Sequence, residues 1–169
     1  LLFFIVAVNY QYVVAQQSQF NLLVDEKTHH FGPAYGFVQD QQGYTWFTSF
    51  TKGLIKYDGK TFKTLRHEPE NPNSPASNFM VSMVADPAGN IWIATWGGGL
   101  NMFDRATEHF IHYRHDPNNP NSLSDDFIYT LLEDNAGNIW IGTNNGGLNV
   151  LDVNTKQIVR FTYDKNNSK

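Results

Sequence analysis

Three histidines, His109, His112 and His115, follow one another at three-residue spacing, and imidazoles so grouped could hold a divalent metal. The stretch Phe110 to Arg114 reads as a β-strand, however, and alternation along a strand puts His112 on the face opposite the other two. Three ligands then cannot converge, so no metal site is expected. His29-His30 reads as a solvated loop. Asp40, Asp86 and Asp134 recur at one and the same turn, where a carboxylate accepts hydrogen bonds from turn amides in the manner of an Asx turn. They are read as turn closures and not as acid and base. Gly97-Gly98-Gly99 and Gly146-Gly147 precede no helix, so they form no phosphate loop. With no cysteine there is no thiol nucleophile, thiolate metal site or disulfide framework. No catalytic residue and no cofactor is expected.

The wider composition narrows the partners. The chain has 169 residues, 12 basic and 16 acidic side chains and a formal net charge of −4. Lys and Arg are scattered singly, which leaves no electrostatic footprint for a nucleic-acid backbone, so a DNA or RNA partner is excluded.

What must position any site is a repeat. Ser74 to Asn121 aligns with Ser122 to Lys169 without a gap, 19 of 48 positions being identical. At the centre, Asp86-Pro87-Ala88-Gly89-Asn90-Ile91-Trp92-Ile93-Ala94-Thr95 matches Asp134-Asn135-Ala136-Gly137-Asn138-Ile139-Trp140-Ile141-Gly142-Thr143. Gly98-Gly99-Leu100-Asn101 and Gly146-Gly147-Leu148-Asn149 follow. A more diverged copy runs from Asp40 through Gly43-Tyr44-Thr45-Trp46 to Gly53-Leu54 and Tyr57-Asp58-Gly59. Each copy resolves into four short strands split by turn residues. In the second copy these are Met80 to Ala85, Ile91 to Thr95, Leu100 to Phe103 and Phe110 to Arg114. No window carries a convincing helical period. A period of 46 to 48 residues with four antiparallel strands is that of a β-propeller blade. Each sheet then has two faces to bury, and Trp46, Trp92 and Trp140 would fill the same layer between blades. The polar joins Glu68 to Ser74 and Asp116 to Ser122 would carry the chain from the outermost strand of one blade to the innermost strand of the next.

The fold class is thus all-β, as three four-stranded antiparallel propeller blades: residues 36–68, 69–115 and 116–169. Three blades are fewer than the four to eight that close a ring, so the ring is read as incomplete. Residues 1–15 carry no charge and have an apolar core of about eight residues ending at Val13-Val14-Ala15. They read as the remnant of a signal peptide, being far short of the roughly 20 residues of a bilayer span. Residues 16–35 form an N-terminal segment in which Phe20 to Val24 looks like an orphan strand, suited to closing a last blade.

The pattern Asp, two residues, Gly-Asn-Ile-Trp-Ile-Gly-Thr, then Gly-Gly-Leu-Asn, with Asn-Pro-Asn-Ser joins, resembles the two-component regulator propeller repeat. That repeat is found in the periplasmic sensor region of bacterial hybrid two-component sensor kinases, especially in polysaccharide-using bacteria. The resemblance covers about residues 20 to 169. The first copy departs from it at Phe47-Thr48-Ser49 and at Lys52. The resemblance implies a seven-bladed propeller, a periplasmic location as the extracytoplasmic part of an inner-membrane protein, and a homodimer at full length. It also implies partner segments: the remaining propeller blades, a β-sandwich, a membrane helix and cytoplasmic signalling domains. Sialidase-type propellers also place an Asp-and-Gly turn before Thr-Trp, but at a spacing shorter by one residue. Glycoside cleavage needs paired carboxylates, or a tyrosine nucleophile among clustered arginines, and the four arginines here are scattered.

A binding site is therefore expected on loops. The turns between second and third strands and the ends of the joins emerge on one face of a propeller, and their residues differ between copies. Phe50, Trp96, Asn144 and Asn145 stand on the turns, and Asn78 and Asp126 on the joins. An indole on a glycine-flanked turn could stack on a sugar ring, and the amides and carboxylate could bond its hydroxyls. The function read from the sequence is non-catalytic ligand sensing, with an oligosaccharide as ligand and a relay to kinase domains. The alternatives are a structural or protein-protein interaction module, and a fragment of a propeller glycosidase or lyase.

Overall fold

The structure, a computed structural model, describes residues 31–161. The expected signal remnant, the orphan strand Phe20 to Val24 and His29-His30 lie outside the described residues. Twelve strands follow one another. The first blade holds β1 (Ala34–Gln39), β2 (Thr45–Ser49), β3 (Gly53–Tyr57) and β4 (Phe62–Leu65). The second holds β5 (Met80–Ala85), β6 (Ile91–Thr95), β7 (Leu100–Asp104) and β8 (His109–Tyr113). The third holds β9 (Ile128–Glu133), β10 (Asn138–Thr143), β11 (Leu148–Asp152) and β12 (Ile158–Phe161). Each sheet is an antiparallel meander in chain order. β1, β5 and β9 lie beside one another, so the first strand of each blade is innermost.

Two expected strands shift by a residue. β7 runs on to Asp104 and β8 covers His109–Tyr113, because Asp104 pairs with His109 and the Glu108 amide donates to the Asp104 carbonyl at 2.8 Å. His115 lies beyond the strand, and so does Arg114. β1 begins at Ala34 and takes in the last two residues of the segment 16–35.

The first turn of each blade shows why these sequences form hairpins. Asp86 Oδ1 accepts the Asn90 amide at 2.9 Å, while its carbonyl accepts the Gly89 amide at 2.8 Å. Asp40 and Asp134 repeat the arrangement. The second carboxylate oxygen takes the indole N–H of the tryptophan six residues on, at 2.7, 2.9 and 2.9 Å for Trp46, Trp92 and Trp140. The turn thereby satisfies the one polar atom of a large side chain that must enter the core.

The core is two layers between blades. Trp46 packs with Met83, Ile93, Phe103 and Phe110 of the second blade, and Trp92 with Leu131, Ile141 and Ile158 of the third. Both indoles are buried, each contributing up to about 4–6 kcal/mol by area removed from water. Trp140 occupies the same position in the third blade, half-buried and stacked on Phe161 with centroids 6.4 Å apart.

At the second reversal of each blade, geometry demands glycine. Gly99 has φ +70°, and a Cβ there would lie 2.3 Å from the Tyr113 carbonyl oxygen; Gly53 repeats this against Leu65.

Candidate functional site: the loop face

The second-to-third-strand turns and the ends of the joins lie together at one edge of the blades. The Trp96 amide donates to the Phe79 carbonyl and the Asn144 amide to the Phe127 carbonyl, both at 2.8 Å. The carbonyl of Asp126 accepts the amides of Gly97 and Gly99 at 3.2 and 2.9 Å, tying the second blade's turn to the join that follows it.

The six expected site residues fall into three roles. Phe50 and Trp96 stand at equivalent turn positions and each leans on the next blade. Phe50 lies 5.3 Å from the Phe79 ring and 5.9 Å from Tyr35. Trp96, half-buried, meets Phe127 edge-on at 5.1 Å and Tyr129 at 4.8 Å. Asn78 and Asp126 close the joins: their Oδ1 atoms accept the amides of His67 and His115 at 2.8 and 2.7 Å. Asn144 and Asn145 are exposed, and their backbone amides are held by the Phe127 carbonyl and by Asp125 Oδ2 at 2.9 Å.

The aromatic surface is larger than these positions suggested. Tyr35, Phe79, Phe127 and Tyr129 are 56%, 45%, 40% and 54% exposed. Tyr35 and Tyr129 are the extra residues of β-bulges: pairing skips from Ala34 to Phe37 in β1 and from Ile128 to Thr130 in β9. The second blade has its bulge at Val81. A bulge re-aims a side chain next to a site, and here it turns two tyrosines out beside Phe50 and Trp96. The bulge leaves no residue signature, but the aromatic spacing Phe127-Ile128-Tyr129 was available. The arrangement offers flat apolar faces beside exposed amides, which suits stacking and hydrogen bonding.

Proton chemistry is poorly served. Burial pushes the Asp40 carboxyl up, but the Trp46 indole, Arg105 and the Tyr44 and Gln42 amides together hold it below the usual carboxylate range. Bonds from the Asn138 side chain, the Trp140 indole and two amides bring Asp134 down to about 2. So acidic a group is a weak general base near neutral pH. The three histidines go separate ways. His112 Nε2 lies 2.9 Å from the Ser74 carbonyl, His115 Nδ1 lies 2.7 Å from the Leu123 carbonyl, and His109 is exposed. Among the described residues no group of three or more His, Cys, Asp or Glu could hold a metal, and no helix is long and apolar enough to cross a membrane.

Four-stranded blades stacked through buried tryptophans, with an aromatic loop face, define a β-propeller. Residues 74–97 and 122–145 each match the two component regulator propeller repeat, so the chain carries two copies of it. The match leaves out the first blade, whose Phe47-Thr48-Ser49 and Lys52 break the pattern. No curated protein matches the sequence significantly. Among solved structures, the extracellular domain of the hybrid two component system BT3049 from B. thetaiotaomicron is 28% identical with a TM-score of 0.72, over 79% of this chain and 19% of that one. The extracellular domain of the hybrid two component system BT4673 from the same organism is 26% identical with a TM-score of 0.60, over 83% and 20%. The virginiamycin B lyase of Staphylococcus aureus, 15% identical with a TM-score of 0.58 over 82% and 44%, shares the fold alone. The chain spans about a fifth of the length of the extracellular domains it matches.

Proposed function

We propose that the chain forms part of an extracytoplasmic ligand-sensing propeller of a two-component sensor, without catalysis of its own. Its loop face would take an oligosaccharide, and the signal would pass to cytoplasmic kinase domains. The observation that carries this reading is the aromatic row of Tyr35, Phe50 and Phe79, and of Trp96, Phe127 and Tyr129, beside exposed Asn144 and Asn145. Sugar rings stack on such faces while their hydroxyls bond the amides. The likeness to extracellular domains of two component systems supports the sensor role and the location.

The remaining blades are proposed as partners on a separate observation. Leu132, Val159 and Phe161 on the third blade and Phe37 on the first are more than half exposed. The counterpart of Phe37 in the second blade, Met83, is buried between blades, and those of Leu132 and Phe161, Val84 and Tyr113, are partly buried against the core there.

A thermal-shift screen of the chain against neutral and acidic oligosaccharides tests the ligand class. A concentration-dependent rise in Tm with at least one glycan, lost in Trp96→Ala, is expected. Absence of any shift refutes the oligosaccharide, and turnover of a glycan refutes the non-catalytic reading in favour of a propeller lyase or glycosidase.

A further inference from the structure

The two joins are built alike. In each, a serine hydroxyl bridges the start of the segment: Ser74 Oγ accepts the Glu68 amide at 2.9 Å and Ser122 Oγ the Asp116 amide at 2.8 Å. In each, a histidine Nδ1 lies 2.7 Å from a carbonyl: His67 at Pro75 and His115 at Leu123. A carbonyl only accepts, so both imidazoles carry the proton on Nδ1.

They differ in what the fourth strand sends into them. In the third blade it is Arg160, opposite Asn149 in the register. Its Nε donates to the Ser122 carbonyl at 2.7 Å, and its Nη2 reaches the Asn119 carbonyl, Ser122 Oγ and the Leu123 carbonyl at 2.8, 2.6 and 2.9 Å. In the second blade the same position, opposite Asn101, is His112. Its ring makes one bond, Nε2 to the Ser74 carbonyl at 2.9 Å. The acceptors equivalent to those of Nη2 are Asn71 O, Ser74 Oγ and Pro75 O, and each keeps only bonds made within its own join. A cavity of about 210 Å³ lies among them, lined by His112, Asn71, Ser74, Pro75, His67 and Arg114.

We propose that this cavity is a binding site for a guanidinium group supplied from outside the chain, which would make there the bonds that Arg160 Nη2 makes in the next join, beside the Ser74 carbonyl that His112 holds. The chain itself provides the template: the same backbone, the same serine and the same carbonyl oxygens close around a planar, multiply donating cation one repeat further on. Guanidinium is favoured over ammonium because it is the more weakly hydrated cation and is the group that Arg160 places against these acceptors one repeat further on. Glu68 also lines the cavity and its carboxylate accepts the Asn71 side-chain amide at 2.9 Å, so the lining carries a negative charge to set against that of Arg114.

The test is an NMR titration of the 169-residue chain with Nα-acetyl-arginine amide, following the imidazole C–H signals of His112 and His67. Nα-acetyl-citrulline amide, the uncharged isostere, and Nα-acetyl-lysine amide are the controls. Saturable shifts with the arginine compound, at least ten-fold weaker with both controls, are expected. A blocked Gly-Arg-Gly peptide binding tighter than agmatine would assign the source to a protein segment, and equal affinities to a small ligand; either supports the site. The variant His112→Arg fills the cavity from within, and its His67 signals should no longer respond. Arg160→His should in turn give arginine-dependent shifts at His115. An equal response to citrulline, no saturable response at all, or a His112→Arg protein that responds like wild type would overturn the proposal.

Discussion

The two interfaces between blades use the same tryptophan and the same aspartate, yet one is clamped by charge and the other is not. Between the first and second blades, Asp40 accepts the Trp46 indole and also pairs with Arg105 of the second blade, whose other amino group donates to Gln42 Oε1 at 2.6 Å. Arg105 further covers the Trp46 ring, its guanidinium carbon 5.6 Å from the centroid. Between the second and third blades the residue equivalent to Arg105 is Val153, and Asp86 serves only its own turn and Trp92. There Lys156 lies over the indole instead, at 5.0 Å. The blade that departs most from the repeat is thus the one held by a specific ion pair, while the consensus blades stack without one.

The largest effect expected from this difference is on the indoles. Trp92→Ala should lower unfolding stability in urea by about 3–5 kcal/mol, since the ring is wholly enclosed, whereas Trp140→Ala should cost less than half as much. Equal costs would show that position in the stack does not set the energy. Next comes the clamp. Asp40→Ala strands the partly buried Arg105 and the Trp46 N–H, and should cost about 2–3 kcal/mol, roughly 1 kcal/mol more than Asp86→Ala. Adding Arg105→Val, the residue of the third blade, should restore part of the loss; no restoration would mean that the ion pair is not the source of the difference.

A smaller effect lies in the same layer. Thr48 is wholly buried and its hydroxyl has no hydrogen-bond partner, where the second and third blades have Ala94 and Gly142. Thr48→Val keeps the shape and removes the unpaired group, so it should raise stability by about 1 kcal/mol. Smallest is the response to acid. Thr61, through its amide and then its hydroxyl, brings Asp58 to about 2, and Asp134 is equally low. Because an unfolded aspartate titrates near 3.9, their contribution is present above about pH 4 and is lost as pH falls toward about 2. A stability profile flat from neutral to pH 2.5 would contradict those low values.

Much of this was legible in the sequence because it repeats. Strand order, the Asp turns and the layer of Trp46 and Trp92 follow from residues that recur 46 or 48 apart. The clamp does not recur: Arg105 stands where its neighbour has Val153, and no periodicity points from it to Asp40, 65 residues earlier. Nor does the sequence announce that the carboxylate of each turn takes up the indole N–H. The joins, read as connections, are closed loops with their own hydrogen bonds, and the recurrence of Arg66-His67 as Arg114-His115 marks where they begin. On the loop face the turn residues Phe50 and Trp96 could be named in advance. The outward turn of Tyr35 and Tyr129 could not, because a bulge is a property of pairing between strands.

The most direct test of the sensor account is calorimetric titration of the chain with an oligosaccharide that raises its Tm, in wild type, Trp96→Ala and Trp140→Ala. The account predicts affinity at least ten-fold weaker in Trp96→Ala, which loses the stacking face, and unchanged in Trp140→Ala, whose indole lies in the blade stack. Undiminished binding in Trp96→Ala, with loss in Trp140→Ala, would place recognition on the blade faces and contradict it.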